Sequence, residues 1–315
     1  MSFSSREERR GERTLDVLTN DDAGVRIVVS RLGAELISLA RKRDDGEWMG
    51  YLHRDNDITP ATQGWGNHAT VMGYFLHRLK DGRSLYRGRE IAGGTHSFLR
   101  GKEWRFDGSE TGNGTLSYEM RVGDFTPTEY PLAVSLKLSY QLEGENIRVL
   151  FQFKNHEPEL SAHLGFGLHP GFAATGSAPL FFSMPAGIYR RHFSPTNYLS
   201  AETQVSYFAG GQMPFERDKL PGSVILELVD VPERIFCFRD LPSGRTMELD
   251  LSSVPYVTLW SDGGPFLCVE PCWGLTDHEE QRAFENKEGI HVLAAGGELR
   301  KSFTMKPGFA IRHAA

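Results

Sequence analysis

A period of two dominates this chain. VRIVVSR (25–31), LAVSLKLSYQL (132–142), NIRVLFQF (146–153), SVILELVD (223–230), RIFCFRD (234–240) and PYVTLW (255–260) are short runs rich in β-branched and aromatic residues. Such alternation puts one face of each run on a core, which is the pattern of a strand. Turn signals separate the runs: NDDAG, RDDG, DGRS, TGNG, EGEN and PSGR. Only GAELISLARK (33–42) and TDHEEQRAFENKEG (276–289) are read as able to hold a helical turn or two. The fold class expected is therefore all-β, a large, mainly antiparallel β-sandwich.

The 315 residues show no fixed-period repeat, low-complexity linker or break in composition. Residues 14–312 are read as one domain, and 1–13 (MSFSSREERRGER) as a disordered polar tail. The alternative is two smaller β domains joined in the loop-rich region 175–215. Hydrophobic residues at 39% supply a sizeable core. A net charge of −6 argues against nucleic acid or an anionic membrane as partner. No run approaches the about 18 apolar residues of a membrane span, and no apolar stretch follows the basic N-terminus as a secretory signal requires. Cys237, Cys268 and Cys272 read as free thiols in a reducing cytoplasm, the expected location. A Cys-x3-Cys pair is a weak zinc signal, and no His-x-His or His-Glu set stands at ligand spacing, so no metal is expected.

Three segments could carry chemistry. In PFLCVEPCWGLTD (265–277), strand alternation puts Phe266, Cys268 and Glu270 on one face and Leu267 and Val269 on the other. Pro271 is expected to end the strand, leaving Glu270 at an apolar rim. Desolvation there would raise its pKa and suit it to proton abstraction, although a structural ion pair would also account for it. In HLGFGLHPGF (163–172), Gly165, Gly167 and His169 share a face cleared of bulk, and Pro170 again ends the run. In the region 64–104, Arg78 lies in the apolar run YFLHRL, read as a strand, and His96 follows a Gly-Gly-Thr loop. Either is equally at home as an ordinary surface charge or loop histidine. Trp65, Trp260 and Trp273 are candidates for an aromatic stacking wall, with core packing as the other use of a tryptophan.

In this order the segments resemble the aldose 1-epimerase (galactose mutarotase) family, and within it a divergent bacterial branch. The resemblance runs from about residue 14 to 312. VRIVVSRLGAELISLARK is similar to the opening "GAEL-S" segment, HRLKDGRSLYRGREI to the Asn-Arg segment and its turn, and THSFLRGKEW to the His-Gly-Phe segment. GLHPGF is similar to the His-Pro strand end, and FLCVEPCWG with NKEGIHVLAAGGELRKSF to the terminal Glu-Pro strand and Gly-Glu hairpin. The resemblance implies a supersandwich with a sugar cleft on one face, working without a cofactor. It implies Glu270 as base, His169 as acid, His96 as a second active-site histidine and Arg78 as a sugar contact. It also implies a sugar-contacting aspartate that no motif fixes, Asp218 lying in the corresponding region.

The chain departs from the family at His77, where Asn is usual, and at Ser97, where Gly is usual. Both bear on which sugar is taken. The activity implied is interconversion of the α and β anomers of a free aldose, by a monomer or homodimer. The rivals are a phosphosugar epimerase, with Arg190, Arg191 and His192 as a cationic cluster, and a carbohydrate-binding protein without turnover.

Overall fold

A computed structural model describes residues 1–174, 180–215, 222–240 and 242–310. Five strands open the chain as an antiparallel sheet: β1 (Phe3–Arg10), β2 (Arg13–Asn20), β3 (Val25–Ser30), β4 (Glu35–Lys42) and β5 (Trp48–Gly50). The N-terminal tail is thus ordered where disorder was expected. β1 pairs with β2 along its full length, from Phe3↔Asn20 to Arg10↔Arg13, and its charges lie on an exposed edge, where they discourage pairing with another chain. GAELISLARK forms strand β4, with no helical turn. Its partner β3 supplies the ladder, and tertiary pairing overrides local helix propensity.

Next come β6 (Ala69–Tyr74), the hairpin β7 (Arg83–Tyr86) and β8 (Arg89–Ala92), β9 (Arg105–Asp107), β10 (Thr115–Met120), β11 (Val134–Glu143) and β12 (Asn146–Asn155). They are followed by β13 (Ala162–Ala173), β14 (Leu180–Met184), β15 (Gly187–His192), β16 (Thr203–Phe208), β17 (Gly211–Phe215) and β18 (Val224–Asp230). The last are β19 (Ile235–Asp240), β20 (Arg245–Asp250), β21 (Tyr256–Trp260), β22 (Phe266–Trp273), β23 (His291–Leu293) and β24 (Glu298–Phe309). Helical structure among the described residues is confined to short 3₁₀ turns, one of them, Phe284–Asn286, inside the segment read as able to hold a turn.

A nine-stranded sheet runs β17-β14-β19-β20-β24-β12-β11-β10-β9. Facing it, an eight-stranded sheet runs β16-β15-β18-β21-β22-β13-β23, with β6 also paired to β13. Their inner faces interlock through aromatic rings: Phe166 of β13 lies 5.3 Å from Phe151 and 4.7 Å from Phe153 of β12, and stacks on Trp273 of β22 at 5.1 Å. One buried cluster extends from Leu18 to Met305 and joins all three large sheets.

On β13 and β22 the residues facing this core are Leu164, Phe166 and Leu168, and Leu267, Val269 and Trp273. By alternation, Gly165, Gly167, His169 and Gly171 of β13, and Cys268, Glu270 and Cys272 of β22, point to the sheet's other face. That face carries the candidate site.

Candidate active site

Neither proline ends its strand. β13 continues through Pro170 to Ala173, and β22 through Pro271 to Trp273. Their effect falls on the ladder between these two strands. Pairing is regular at Phe166↔Trp273 and Gly167↔Cys272, and again from Gly171↔Cys268, but lapses between. Gly171 N–H donates to His68 O on the β6 side at 2.8 Å, so alternation turns the Pro170 nitrogen toward β22. In the same register Pro271 faces β13, and the two missing N–H groups leave the ladder open at this level. His169 and Glu270 stand opposite each other across the opening, Nε2 to Oε1 3.2 Å. Glu270 is therefore interior to a central strand, not at a rim, with Thr258 of β21 on its other side.

Both groups are buried, Glu270 to 1% exposure and His169 to 5%. Desolvation pushes the Glu270 carboxyl well above the usual carboxylate range and pulls His169 down to about 3, with the His77 ring adding to the effect. Burial thus favours the uncharged form of each. Glu270 Oε2 has no hydrogen-bond partner among the described residues.

His96 packs edge-on to His169, ring centroids 5.0 Å apart. Its backbone lies in the left-handed region (φ 63°), as do Ser97 (φ 67°) and His77 (φ 52°). The strained loop is closed reciprocally: His96 N–H donates to His77 O at 2.6 Å, and His77 N–H donates to His96 Nδ1 at 3.3 Å. Because Nδ1 accepts, a neutral His96 carries its proton on Nε2 and is a donor. Burial, with charge from His169 and His77, keeps the ring neutral by holding its pKa well below the ordinary value.

These groups line a cavity of about 250 Å³ with Trp65, Thr70, Arg78, Asn197 and Trp260. β6 ends at Tyr74, so Arg78 belongs to a loop and not to a strand. Its carbonyl accepts from Asp277 N–H at 3.1 Å, and the buried Asp277–Lys287 ion pair anchors that side. The guanidinium is exposed and makes no ion pair among the described residues. Arg100, not singled out from sequence, lines the same cavity, is likewise exposed, and has no ion pair among the described residues. Its only sequence signal was its place in THSFLRGKEW, four residues after His96.

The tryptophans divide. Trp260 reaches the cavity and meets His169 edge-on at 5.8 Å; Trp65 stacks on His169 at 5.0 Å. Trp273 does not reach it. Odd-numbered on β22, it faces the nine-stranded sheet, stacks on Phe166 and donates from Nε1 to Ser253 O at 2.9 Å. The substrate-binding role expected of it gives way to core packing.

The glycines also do a different job from the one expected. A Cβ on Gly167 would come within 2.3 Å of Pro271 O, and one on Gly165 within 3.4 Å of Leu76 N, so close packing fills that space. Gly171 is the residue that makes room: a Cβ there would lie 2.3 Å from Trp65 Cζ3.

Arg190 and His192 both bond Glu227, at 2.8 and 3.0 Å, Arg191 covers the Phe193 ring, and none of the three lines the cavity. Asp218 lies outside the described residues. All three cysteines are free thiols. A larger concavity, about 640 Å³, over β10–β12 and β24 holds none of the candidate residues. No helix among the described residues is long and apolar enough to cross a membrane.

The fold is a large antiparallel supersandwich of the galactose mutarotase type, with a carboxyl–imidazole pair in a cleft on one sheet. The chain belongs to the aldose 1-epimerase family, whose model matches residues 16–306. It is 24% identical over 293 residues to the plasmid-borne protein LacX of Lactococcus lactis subsp. lactis, covering 86% of this chain and 93% of LacX. The galactose mutarotase related enzyme of Lactobacillus acidophilus superposes with a TM-score of 0.82 at 19% identity, covering 99% of this chain and all of the other. Galactose 1-epimerase of Lactobacillus acidophilus NCFM does so at 0.70 and 13% identity, covering 98% and 99%. These structures share the galactose mutarotase fold.

Proposed function

We propose that the protein is an aldose 1-epimerase, interconverting the anomers of an aldose by acid–base opening and closure of the ring. The observation that carries this reading is the His169–Glu270 pair, buried, in contact, and held at a gap in the ladder, with one carboxyl oxygen that has no hydrogen-bond partner among the described residues. Family membership supports the reaction type.

In mutarotation the O1 hydroxyl loses a proton while the ring oxygen O5 gains one. The C1–O5 bond then breaks, the aldehyde turns about C1–C2, and the ring closes on its other face. O1 and O5 are both bonded to C1, so acid and base belong side by side and not across the sugar from each other. Adjacent strands supply that placement. Substrate entry replaces the His169–Glu270 hydrogen bond with two bonds to the hemiacetal: Glu270 Oε2 accepts the O1 proton, and His169 donates to O5 the proton held between the pair. Ring closure reverses the roles. No net charge builds up, which suits groups that burial keeps neutral. His96, as an Nε2 donor, would hydrogen-bond the anomeric or ring oxygen; Arg78 would orient hydroxyls, and Trp65 and Trp260 would stack on the sugar face.

A second reading concerns the substrate. Arg78 and Arg100 bring to one cavity two guanidinium groups without an ion pair among the described residues, a pairing suited to an aldose that carries an anionic group.

Polarimetry of freshly dissolved α-glucose and α-galactose tests the reaction, and α-glucose 6-phosphate tests the second reading. Acceleration is expected to fall by about 10²-fold or more in Glu270→Gln and in His169→Asn. Rates near wild type in either variant would dismiss the acid–base pair.

A further inference from the structure

Glu270 has neighbours that the proton transfer does not use. His77 stands on the loop after β6, and Cys272 two residues along β22 on the same face as Glu270. One ligand atom from each of His77, Glu270 and Cys272 can be chosen so that all three lie within 4.8 Å of one another. Glu270 Oε2 and His77 Nε2 are both buried and have no hydrogen-bond partner among the described residues. The Cys272 thiol is fully buried beside Met72 and Leu76.

We propose that His77, Glu270 and Cys272 form a binding site for a divalent transition metal of the zinc class, and that occupancy takes the carboxylate out of proton transfer. Thiolate sulfur, imidazole nitrogen and carboxylate oxygen together select a borderline-soft ion over magnesium or calcium. Tetrahedral zinc holds such ligands about 2.0–2.3 Å away, placing them about 3.3–3.8 Å from one another. From separations within 4.8 Å, the three groups therefore need to close by about 1.5 Å at most. His77 and Glu270 line the cavity, so an ion can enter from it, and a water can complete the coordination on that side. Binding displaces the thiol proton, and any proton on the carboxyl, to solvent. The family's usual Asn at position 77 would supply a weak carbonyl oxygen where this chain supplies an imidazole. Metal binding stands independently of the epimerase reading; the inhibition that follows from it rests on that reading.

The test is a Co²⁺ titration of the full chain after EDTA treatment, read by absorbance. Saturation at one ion per chain is expected, with tetrahedral d–d bands and a thiolate-to-cobalt charge-transfer band. That band should vanish in Cys272→Ser and persist in Cys268→Ser. His77→Asn, which does not depend on the buried thiol position for folding, should weaken Co²⁺ binding more than about tenfold. A missing charge-transfer band, its survival in Cys272→Ser, or unchanged affinity in His77→Asn would each overturn the site. In polarimetry, saturating Zn²⁺ should slow the wild-type chain at least tenfold, with recovery on adding EDTA; an undiminished rate with zinc bound overturns the inhibitory role. A chain that turns over no sugar yet gives the cobalt spectrum overturns the epimerase reading and leaves the metal site standing.

Discussion

Glu270 is raised and His169 lowered by the same burial, and that symmetry has consequences for pH. The proton held between Glu270 and His169 is the one passed to O5, so losing it to solvent removes the acid. kcat/KM should accordingly fall as pH rises through an apparent pKa that belongs to the pair and lies above the ordinary carboxylate range. A fall already near pH 4 would show a solvated carboxylate instead. Stability carries the same signature. A folded-state pKa above the unfolded one favours folding below the unfolded value, and the benefit is lost as pH rises through the folded value. Glu270→Gln should therefore raise the melting temperature more at pH 8 than at pH 5. For His169, lowered to about 3, the opposite sign applies, and stability falls as pH drops from about 6.5 toward 3. Ser97 makes a separate case: it holds φ 67°, and its Oγ is buried without a partner among the described residues. Ser97→Gly should stabilise the fold by about 1 kcal/mol in urea unfolding, since glycine adopts that backbone without the penalty. No gain would mean that the hydroxyl has a use in the loop.

At the scale of elements, the site is made by β13 and β22 and by the two prolines that open the ladder between them. Two glycines of β13 show how different neighbours set the outcome of one substitution. Gly171→Ala meets the end of the Trp65 side chain, which lies in a loop and can turn away. About 1 kcal/mol of stability should be lost, with a shift in tryptophan fluorescence and a raised KM. Gly167→Ala meets the backbone oxygen of Pro271, which can move only with β22 itself. A loss of about 3 kcal/mol is expected. Equal losses in denaturant melts of the two variants would refute this account of the two contacts. Period-two alternation was enough to place Glu270 and His169 on strand faces. The same parity carried past Pro271 puts Trp273 on the core face with Leu267 and Val269, but the strand was expected to stop at the proline. The run lengths were less legible: a proline was read as a terminator, whereas in an antiparallel sheet it can stay inside a strand where the neighbouring ladder already lapses.

Across the whole molecule, one buried cluster draws on strands from β2 to β24 and joins the three large sheets. If residues 14–312 are a single unit, as the unbroken composition suggests, far-ultraviolet circular dichroism and tryptophan fluorescence should report one coincident thermal transition. Two separated transitions would favour the two-domain alternative. The sequence by itself determined the fold class, because side-chain period is a local property of the backbone and each short run declares which face it buries. It also singled out Glu270 and His169, because a charged or imidazole group inside an apolar run is conspicuous without coordinates; the roles of base and acid came from the family resemblance. The tertiary structure alone decided which distant groups meet. His77, Arg100, Trp65 and Cys272 join the site through sheet register, loop strain and the room left by Gly171, and these depend on residues far apart along the chain. No local pattern encodes such distances, so the cleft's cationic walls and the proposed metal ligands became visible only when the strands were paired.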